Sequence, residues 1–384
     1  MLVIAIFYVM FFPTSIGGVV AGNMWMVRNI LGLFIAIWIC KTNSIDPRAK
    51  KIGMAAIIVL FCFTAWGLLL AQSNWGVMRI AWASVSGFLP TCLIWCITFG
   101  DLSISGKMAN KLLVILSAIL IIWGWGLVFT VPFVENFTIQ WYSSLNEDML
   151  SSMMSRGKPV MSFSTHSVSA FFITLFFFLH CISLREGYAN VINYVCMLLL
   201  FLLVIPMTSN TAIVMLGIMA LLFMWSSKST FTKLALIIVC LSVFWYYWDN
   251  GFISMYIDGI VNGTNAEAHG LGARYDSGNY DGNFEVIKSI GGIGFLRSST
   301  EFFEMRDSGF IYLMTQGNII LLTLIYILRY QFFKRNQKQY AWLTILIFLL
   351  LEFITASAYI SVKIVFAEIM VMLFVNSFTL RKSL

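Results

Sequence analysis

Apolar runs of about 20 residues recur along nearly the whole chain, separated by short polar breaks. A helix of about 20 apolar residues is long enough to span the hydrocarbon core of a bilayer. Only 11% of the 384 residues are charged, against about 25% in a typical soluble domain. So few polar side chains cannot cover a water-soluble globule, which excludes a cytosolic enzyme, a disordered chain and a nucleic-acid-binding protein. The pattern predicts an all-α polytopic membrane protein, with one integral membrane domain over residues 1–384.

Twelve apolar runs qualify as transmembrane helices. They cover about residues 2–22, 25–40, 52–72, 77–99, 112–133, 166–183, 191–207, 209–225, 234–248, 308–328, 340–356 and 362–380. Two long polar segments interrupt the series, at about 134–165 and 249–307. Loops of this length without low complexity usually carry function. The first run has no charged segment before it and contains Pro13, so we expect it to remain in the mature protein.

Basic residues are concentrated in alternate breaks between the runs. If the N-terminus is inside, 15 of the 24 Lys and Arg residues lie in cytoplasmic breaks, together with three acids. The loop at 249–307 instead holds nine acids and four basic residues. By the positive-inside rule, this asymmetry predicts that both termini are cytoplasmic and that the two long loops face outward. The net charge of +7 is therefore an orientation signal and does not indicate nucleic acid as a partner.

Cysteine and histidine usage argues against metal or redox chemistry. All seven cysteines lie inside or at the edge of apolar runs, and the chain has only three histidines. Neither a disulfide framework nor a set of zinc ligands is predicted from these positions. We therefore expect no metal and no cofactor.

The most informative stretch begins at Arg274 and reaches into the tenth apolar run. A turn-rich segment follows the Arg, then a glycine cluster that ends in Phe295, then Asp307 at the mouth of the run. A Gln316-Gly317 pair interrupts the run partway along. This order resembles the bacterial O-antigen polymerase and ligase family, which includes the Wzy-type polysaccharide polymerases. In that family the last large periplasmic loop starts with an Arg and passes through a Gly-Ile-Gly-Phe-like turn. It ends at a His-Asn or Asp-Ser/Asn pair before a helix with an apolar-polar-Gly break.

A second segment, LLVIPMTSNTAIVMLGIMALL, resembles the short periplasmic hinge of the same family. The chain departs from the family pattern at two positions. Asn210 stands where the ligase hinge often has Arg, and Asp307 stands where ligases have His. No Arg-x10-Gly pattern of the kind found in some polymerases starts at Arg156 or Arg274, because the residues eleven positions later are Ser167 and Glu285. The departure at Asp307 favours a polymerase over an O-antigen ligase.

The resemblance implies an inner-membrane glycosyltransferase of O-antigen, lipopolysaccharide or capsule biosynthesis. Such an enzyme transfers the growing glycan from undecaprenyl pyrophosphate to a lipid-linked repeat unit on the periplasmic side. It implies as partners the undecaprenyl-pyrophosphate-linked oligosaccharide, membrane lipid, and the chain-length regulator and flippase of the same pathway. No cofactor is implied, because the energy of the reaction lies in the pyrophosphate bond.

This chemistry needs cations for the leaving pyrophosphate and an acceptor for the hydroxyl proton. The candidate catalytic residues are Asp307 and His269, either of which could be the base, and Arg274. The candidate pyrophosphate-binding residues are Arg156, Arg274, Arg79 and Arg306, and the candidate glycan-binding residues are Trp141, Tyr142, Tyr275 and Tyr280. Arg28 and Lys363 are further outer-side cations, and for both the simpler interpretation is a charge at a helix end. His180, near a cytoplasmic helix end, is predicted to be structural.

Two other functions are open at this point. A transporter, such as a flippase for lipid-linked oligosaccharides, is favoured by Glu352, Glu368 and Lys363, which fall within or beside apolar runs. A membrane acyltransferase acting on glycans would need an Arg and His set near the first runs, where the chain offers only Arg28.

Overall fold

The structure of the chain is a computed structural model. It describes residues 2–13, 15, 24–42, 47–70, 89, 92–96, 103–142, 154–155, 157–163, 166–207, 210–227, 230–249, 309–337, 339–354 and 362–379. Within these ranges the chain is helical and contains no strand. The helices are α1 (Leu2–Met10), α2 (Met24–Thr42), α3 (Pro47–Leu70), α4 (Gly106–Val128), α5 (Pro132–Tyr142), α6 (His166–Arg185), α7 (Val191–Val204), α8 (Asn210–Ser226), α9 (Thr230–Asp249), α10 (Gly309–Asn336), α11 (Ala341–Ile354) and α12 (Val362–Thr379). Short 3-10 turns lie at Met161–Phe163 and Ile205–Met207.

Five helices of the described part are long and apolar enough to cross a membrane. They contain the segments Pro47–Gly67, Gly106–Val128, Val168–Arg185, Leu313–Asn336 and Val362–Thr379. Shorter apolar helices lie at Val191–Met207, Ala212–Ser226 and Ala341–Leu350. These helices confirm the prediction of an all-α chain with multi-pass membrane character.

Helix α12 lies at the centre of the bundle. Every residue from Val362 to Phe378 is buried, and the helix packs against α1, α4 and α6. Helix α6 is almost as deeply buried and also contacts α7 and α8. The outer helices keep large apolar side chains exposed, among them Phe61, Leu69 and Ile122. Because lipid tails are as apolar as these side chains, an exposed apolar surface of this kind fits a bilayer environment.

One end of the bundle, which we call the basic end, gathers the helix ends that carry Lys and Arg. The Ile104 N–H, just before α4, donates to Ser377 Oγ near the end of α12 over 3.0 Å. Arg185, at the end of α6, donates to the carbonyl of Trp225 at the end of α8 over 3.2 Å. The Tyr340 hydroxyl, between α10 and α11, donates to Glu186 Oε1 just after α6. These contacts bring the predicted cytoplasmic breaks together at one face.

The opposite end, which we call the loop end, joins α1, α5, the start of α6 and the start of α12. The hydroxyl of Tyr142 donates to the carbonyl of Phe11 over 2.7 Å. Lys363 donates to the carbonyl of Ser162, in the 3-10 turn before α6. Helix α5 covers the beginning of the segment 134–165 that the sequence predicts as a loop. A helix of 11 residues is too short to stand out as an apolar run.

Helix α10 folds back on itself. Gly317 and Asn318 have non-helical backbone angles. The rings of Phe310 and Tyr326 stack with centroids 5.6 Å apart. In a continuous helix these two residues would be about 24 Å apart along the axis. The chain therefore reverses at Gly317–Asn318, between a short arm at 309–316 and a long arm at 319–336.

This reversal confirms the break predicted at Gln316-Gly317. The long arm runs on to Asn336, beyond the predicted end of the apolar run at 328. Arg329, which the sequence placed in a cytoplasmic break, consequently lies inside the long arm and is buried.

Candidate functional site at the loop end

Tyr142 and Trp141 end helix α5 with different exposures. Tyr142 is 6% exposed, and its ring contacts Trp123 and Phe137. Burial raises the pKa of its phenol to about 12, with a smaller contribution from Tyr8. Trp141 is 39% exposed. The packed ring of Tyr142 has almost no surface left to stack on a sugar, which leaves Trp141 as the better placed of the two predicted glycan-binding residues.

The turn of α10 lies against the second half of α3. A Cβ at Gly317 would stand 2.3 Å from Phe63 Cε1, so only glycine permits this approach. Asn318 combines a φ of 56° with a ψ of −165°, a backbone conformation that residues other than glycine rarely adopt, and its Oδ1 accepts from the Ile319 N–H over 2.6 Å. Since α3 begins with Arg48, Lys50 and Lys51 at the basic end, its second half points toward the loop end, and the turn lies there too.

Two cations from distant parts of the chain meet at the start of α12. Gly32 packs so tightly on α12 that a Cβ there would stand 2.6 Å from Val362 Cγ1. Arg28 lies one helical turn before Gly32 on the same face of α2, and its positive charge acts on Lys363. Lys363 is 7% exposed, and its Nζ donates to the Ser162 carbonyl over 2.8 Å.

A buried ion pair joins α10 to α12. The guanidinium of Arg329 donates to Glu368 Oε1, and it also lies 5.2 Å from the centre of the Phe348 ring on α11. Both charged residues are buried. Glu368, one of the acids that favoured a transporter in the sequence, therefore has a partner on a neighbouring helix.

The buried polar residues at the basic end form a cluster of uncharged side chains, which we call the Asn–His network. It consists of Asn110 and Ser117 on α4, His180 and Ser183 on α6, and Asn193 on α7. The backbone N–H of Asn190 donates to Asn193 Oδ1 over 2.8 Å, which fixes the orientation of the Asn193 amide. Its Nδ2 then donates to Asn110 Oδ1 over 2.7 Å and to His180 Nδ1 over 3.0 Å.

Because His180 accepts at Nδ1, the ring is neutral and carries its proton on Nε2. That proton is donated to Ser117 Oγ, 2.8 Å away. Every buried polar side-chain atom of the network has a partner. The hydrogen bonds tie α4, α6 and α7 together, which is the structural role predicted for His180.

The predicted site residues are divided between described and undescribed parts of the chain. Trp141 and Tyr142 are described. The other predicted site residues lie outside the described residues, and their roles stay predictions. They are Asp307, His269, Arg274, Arg156, Arg79, Arg306, Tyr275 and Tyr280. The structure adds Arg28, Lys363 and Ser162 as candidate site residues. The sequence analysis interpreted Arg28 and Lys363 as charges at helix ends, and it did not name Ser162. The available sequence signal was weak: Arg28 and Lys363 each follow a predicted outer break, as many helix-end cations do.

Comparison with known proteins adds no relative, since no protein-family model, curated protein or solved structure matches the chain. The motifs of the sequence and the geometry of the loop end are therefore the features that indicate a function.

Proposed function

We propose that the chain is an inner-membrane polysaccharide polymerase of the Wzy type, acting in O-antigen or capsule biosynthesis. A sugar hydroxyl of an incoming lipid-linked repeat unit attacks the anomeric carbon of the growing glycan. A glycosidic bond forms, the bond from the anomeric carbon to the pyrophosphate oxygen breaks, and undecaprenyl pyrophosphate leaves. The hydroxyl proton passes to Asp307 or His269. The growing chain is thereby transferred to the incoming unit, which remains attached to its own lipid.

The proposed topology has twelve spans, with both termini and the basic end in the cytoplasm and the loop end in the periplasm. The support is the gathering of basic helix ends on one face, as the positive-inside rule requires of a cytoplasmic face. Lys41 ends α2, Lys107 and Lys111 begin α4, and Lys334 and Arg335 lie in the last turn of α10.

The fold-back of α10 at Gly317–Asn318 is the observation that carries the proposal. A break in a membrane helix frees backbone polar groups, which are tolerated where protein covers them or where they line a polar cavity. A turn of this kind is what a site for a polar substrate in a bilayer needs. It occurs at the Gln-Gly pair at which the resemblance places the broken helix, just after Asp307 in the sequence.

Within this proposal, four arginines stabilise the leaving pyrophosphate: Arg274, Arg156, Arg79 and Arg306. Arginine suits this task because its planar guanidinium can bind two phosphate oxygens at once. The exposed ring of Trp141 offers a surface on which a sugar can stack, and Tyr275 and Tyr280 are assigned to the same task. A carboxylate at Asp307 would accept the hydroxyl proton directly.

A transporter is the second candidate, and the buried Arg329–Glu368 pair is the observation in its favour. Ionisable groups inside membrane segments mark many transport pathways. Both groups are engaged with each other here, with Phe348 beside the guanidinium. A pair of this kind serves equally well to hold helices in place.

Deletion of the gene in its host distinguishes the two functions. Loss of a polymerase should leave surface lipid carrying one repeat unit, because the flippase still delivers single units to the periplasm. Loss of all surface glycan, with lipid-linked units retained inside, would overturn the proposal in favour of a flippase. Complementation then tests the site. Arg274→Ala and Asp307→Ala should fail to restore long chains at normal expression, whereas Lys288→Ala, a matched loop cation with no assigned role, should restore them.

A further inference from the structure

Arg28, Lys363 and Ser162 come together at the loop end from three separate elements. Helix α2 supplies Arg28, the second residue of α12 is Lys363, and the 3-10 turn Met161–Phe163 supplies Ser162. The close packing of Gly32 on Val362 sets the distance between α2 and α12. The turn is held separately, because Ser169 on α6 donates its hydroxyl to the Val160 carbonyl. The three side chains are therefore positioned by independent contacts.

The cluster concentrates positive charge where water is scarce. Lys363 is buried, and the Gly32–Val362 contact brings Arg28, one helical turn before Gly32, near enough for the two positive charges to repel each other. Like charges repel strongly in a low-dielectric interior, so the two cations raise each other's energy. Lys363 donates to the Ser162 carbonyl over 2.8 Å, which ties the ammonium to the turn before α6. An anion bound between the two cations would relieve their repulsion.

The cluster also contains hydrogen-bonding groups that point to a ligand. Arg28 Nε and Ser162 Oγ are buried, and neither has a hydrogen-bond partner among the described residues. Ser162 is 1% exposed, so solvent does not supply the missing partner. Buried polar groups are nearly always hydrogen-bonded, and each exception calls for an explanation. A phosphate, with several acceptor oxygens, could satisfy both donors.

We propose that Arg28, Lys363 and Ser162 form a binding site for the phosphate groups of a lipid diphosphate. The guanidinium can bind two phosphate oxygens at once, the ammonium supplies a point charge, and the hydroxyl donates to a third oxygen. The site is carried by the helices and the turn before α6, and it is separate from the predicted cations of the loop at 249–307. Recognition of a phosphate follows from the cluster itself, whereas a polyprenyl diphosphate as its source rests on the proposed function.

Binding of undecaprenyl pyrophosphate to the purified full-length chain in zwitterionic lipid nanodiscs tests the site. We expect Arg28→Gln and Lys363→Gln each to weaken binding by about 10-fold or more, as expected for the loss of a charge-assisted hydrogen bond. Ser162→Ala should weaken it by about threefold, the smaller effect of a neutral donor. Arg28→Lys, which keeps the charge, should recover part of the affinity. Lys107→Gln, a matched loss of charge at the basic end, should leave binding unchanged.

The result that overturns the site is wild-type affinity in both Arg28→Gln and Lys363→Gln. Should Lys363→Gln fail to fold, Arg28→Gln and Ser162→Ala decide the outcome, and unchanged affinity in both overturns the site. Inorganic pyrophosphate and phosphatidylglycerol vesicles separate the possible sources of the phosphate. Weak competition by both supports a polyprenyl diphosphate, whereas displacement at equal concentration by either one overturns that assignment. A chain that binds the lipid in this way, but whose deletion leaves polymer length unchanged, keeps the site and refutes the proposed polymerase.

Discussion

Two polar clusters at opposite ends of the bundle bury their side chains in opposite ways. At the basic end, the Asn–His network is uncharged, and each of its buried polar side-chain atoms has a partner. At the loop end, Arg28 and Lys363 bring two positive charges together, and Arg28 Nε and Ser162 Oγ have no partner among the described residues. A satisfied network stabilises and specifies helix packing, whereas unsatisfied buried donors cost stability unless something binds them.

This difference separates a structural polar cluster from a candidate site without reference to any relative. Charge alone does not make the distinction, because Arg329 and Glu368 are charged and yet compensate each other's charge. If a structural cluster is one whose buried polar and charged groups compensate one another, changes in the Asn–His network and in the ion pair should reduce stability. Changes at the loop end should instead reduce function with little loss of stability.

Breaking the Arg329–Glu368 pair is the change with the largest expected effect. Arg329→Met or Glu368→Leu leaves one buried charge uncompensated, and we expect each to lower the free energy of unfolding by about 3–5 kcal/mol. The double variant Arg329→Met/Glu368→Leu removes both charges and should recover most of the loss. Thermal unfolding of the detergent-solubilised chain measures this. Lys334→Met, an exposed cation of the same helix, is the control and should change little. Full stability in both single variants would show that the pair contributes nothing to packing.

The comparison between the two ends can be tested with a pair of substitutions. Asn193→Ala removes partners from His180, Asn110 and the Asn190 N–H, so we expect a loss of about 1–3 kcal/mol in the free energy of unfolding. Ser162→Ala removes a hydroxyl that has no partner in the described part of the chain, so its loss should be below about 0.5 kcal/mol. The same unfolding assay measures both variants. Equal losses of unfolding free energy in Asn193→Ala and Ser162→Ala would show that the two polar clusters do not differ in their contribution to stability.

The sequence predicted the features that depend on local patterns. Apolar length identified the helices, and the Gln316-Gly317 pair identified the break in α10, because a glycine and a polar side chain inside an apolar run are local signals. It did not predict contacts between distant segments. Arg329 lies at the edge of an apolar run and its partner Glu368 lies in another helix, so no local pattern links them.

The meeting of Arg28 and Lys363 was unpredictable for the same reason. Each residue alone fits a cation at the end of a helix, and only packing at Gly32 and Val362 places the two charges close together. The predicted catalytic residues, in contrast, come from a local sequence motif and not from contacts between distant segments. Asp307, His269 and Arg274 were assigned from a local motif, and that assignment remains a prediction because the motif lies outside the described residues.

Substitution of Gly317 tests the turn of α10. A Cβ in Gly317→Ala would stand 2.3 Å from Phe63 Cε1 and 2.4 Å from Leu321 Cβ, so we expect overpacking to cost about 1–3 kcal/mol and to shorten the polymer chains. Phe63→Leu should partly restore both stability and chain length in the double variant. Asn318→Gly is the matched control and should not lose stability, since glycine adopts the positive φ of this position without strain. Polymer length on a gel and the unfolding midpoint provide the measurements. A neutral Gly317→Ala would show that the close contact with Phe63 is dispensable.

The smallest expected effect is at Tyr142, and it depends on pH. Tyr142→Phe removes the hydrogen bond to the Phe11 carbonyl, which we expect to cost about 1 kcal/mol near neutral pH. Burial raises the phenol pKa to about 12 in the folded chain, above its ordinary value of about 10, so folding favours the protonated phenol. The stabilising contribution of Tyr142 is therefore complete below pH about 10 and is lost as the pH rises through about 12. The difference in unfolding midpoint between wild type and Tyr142→Phe should shrink from pH 8 to pH 11.

Tyr194→Phe, at an exposed tyrosine, is the control and should show little difference at either pH. A constant difference for Tyr142→Phe would mean that its hydroxyl is not buried in the folded protein.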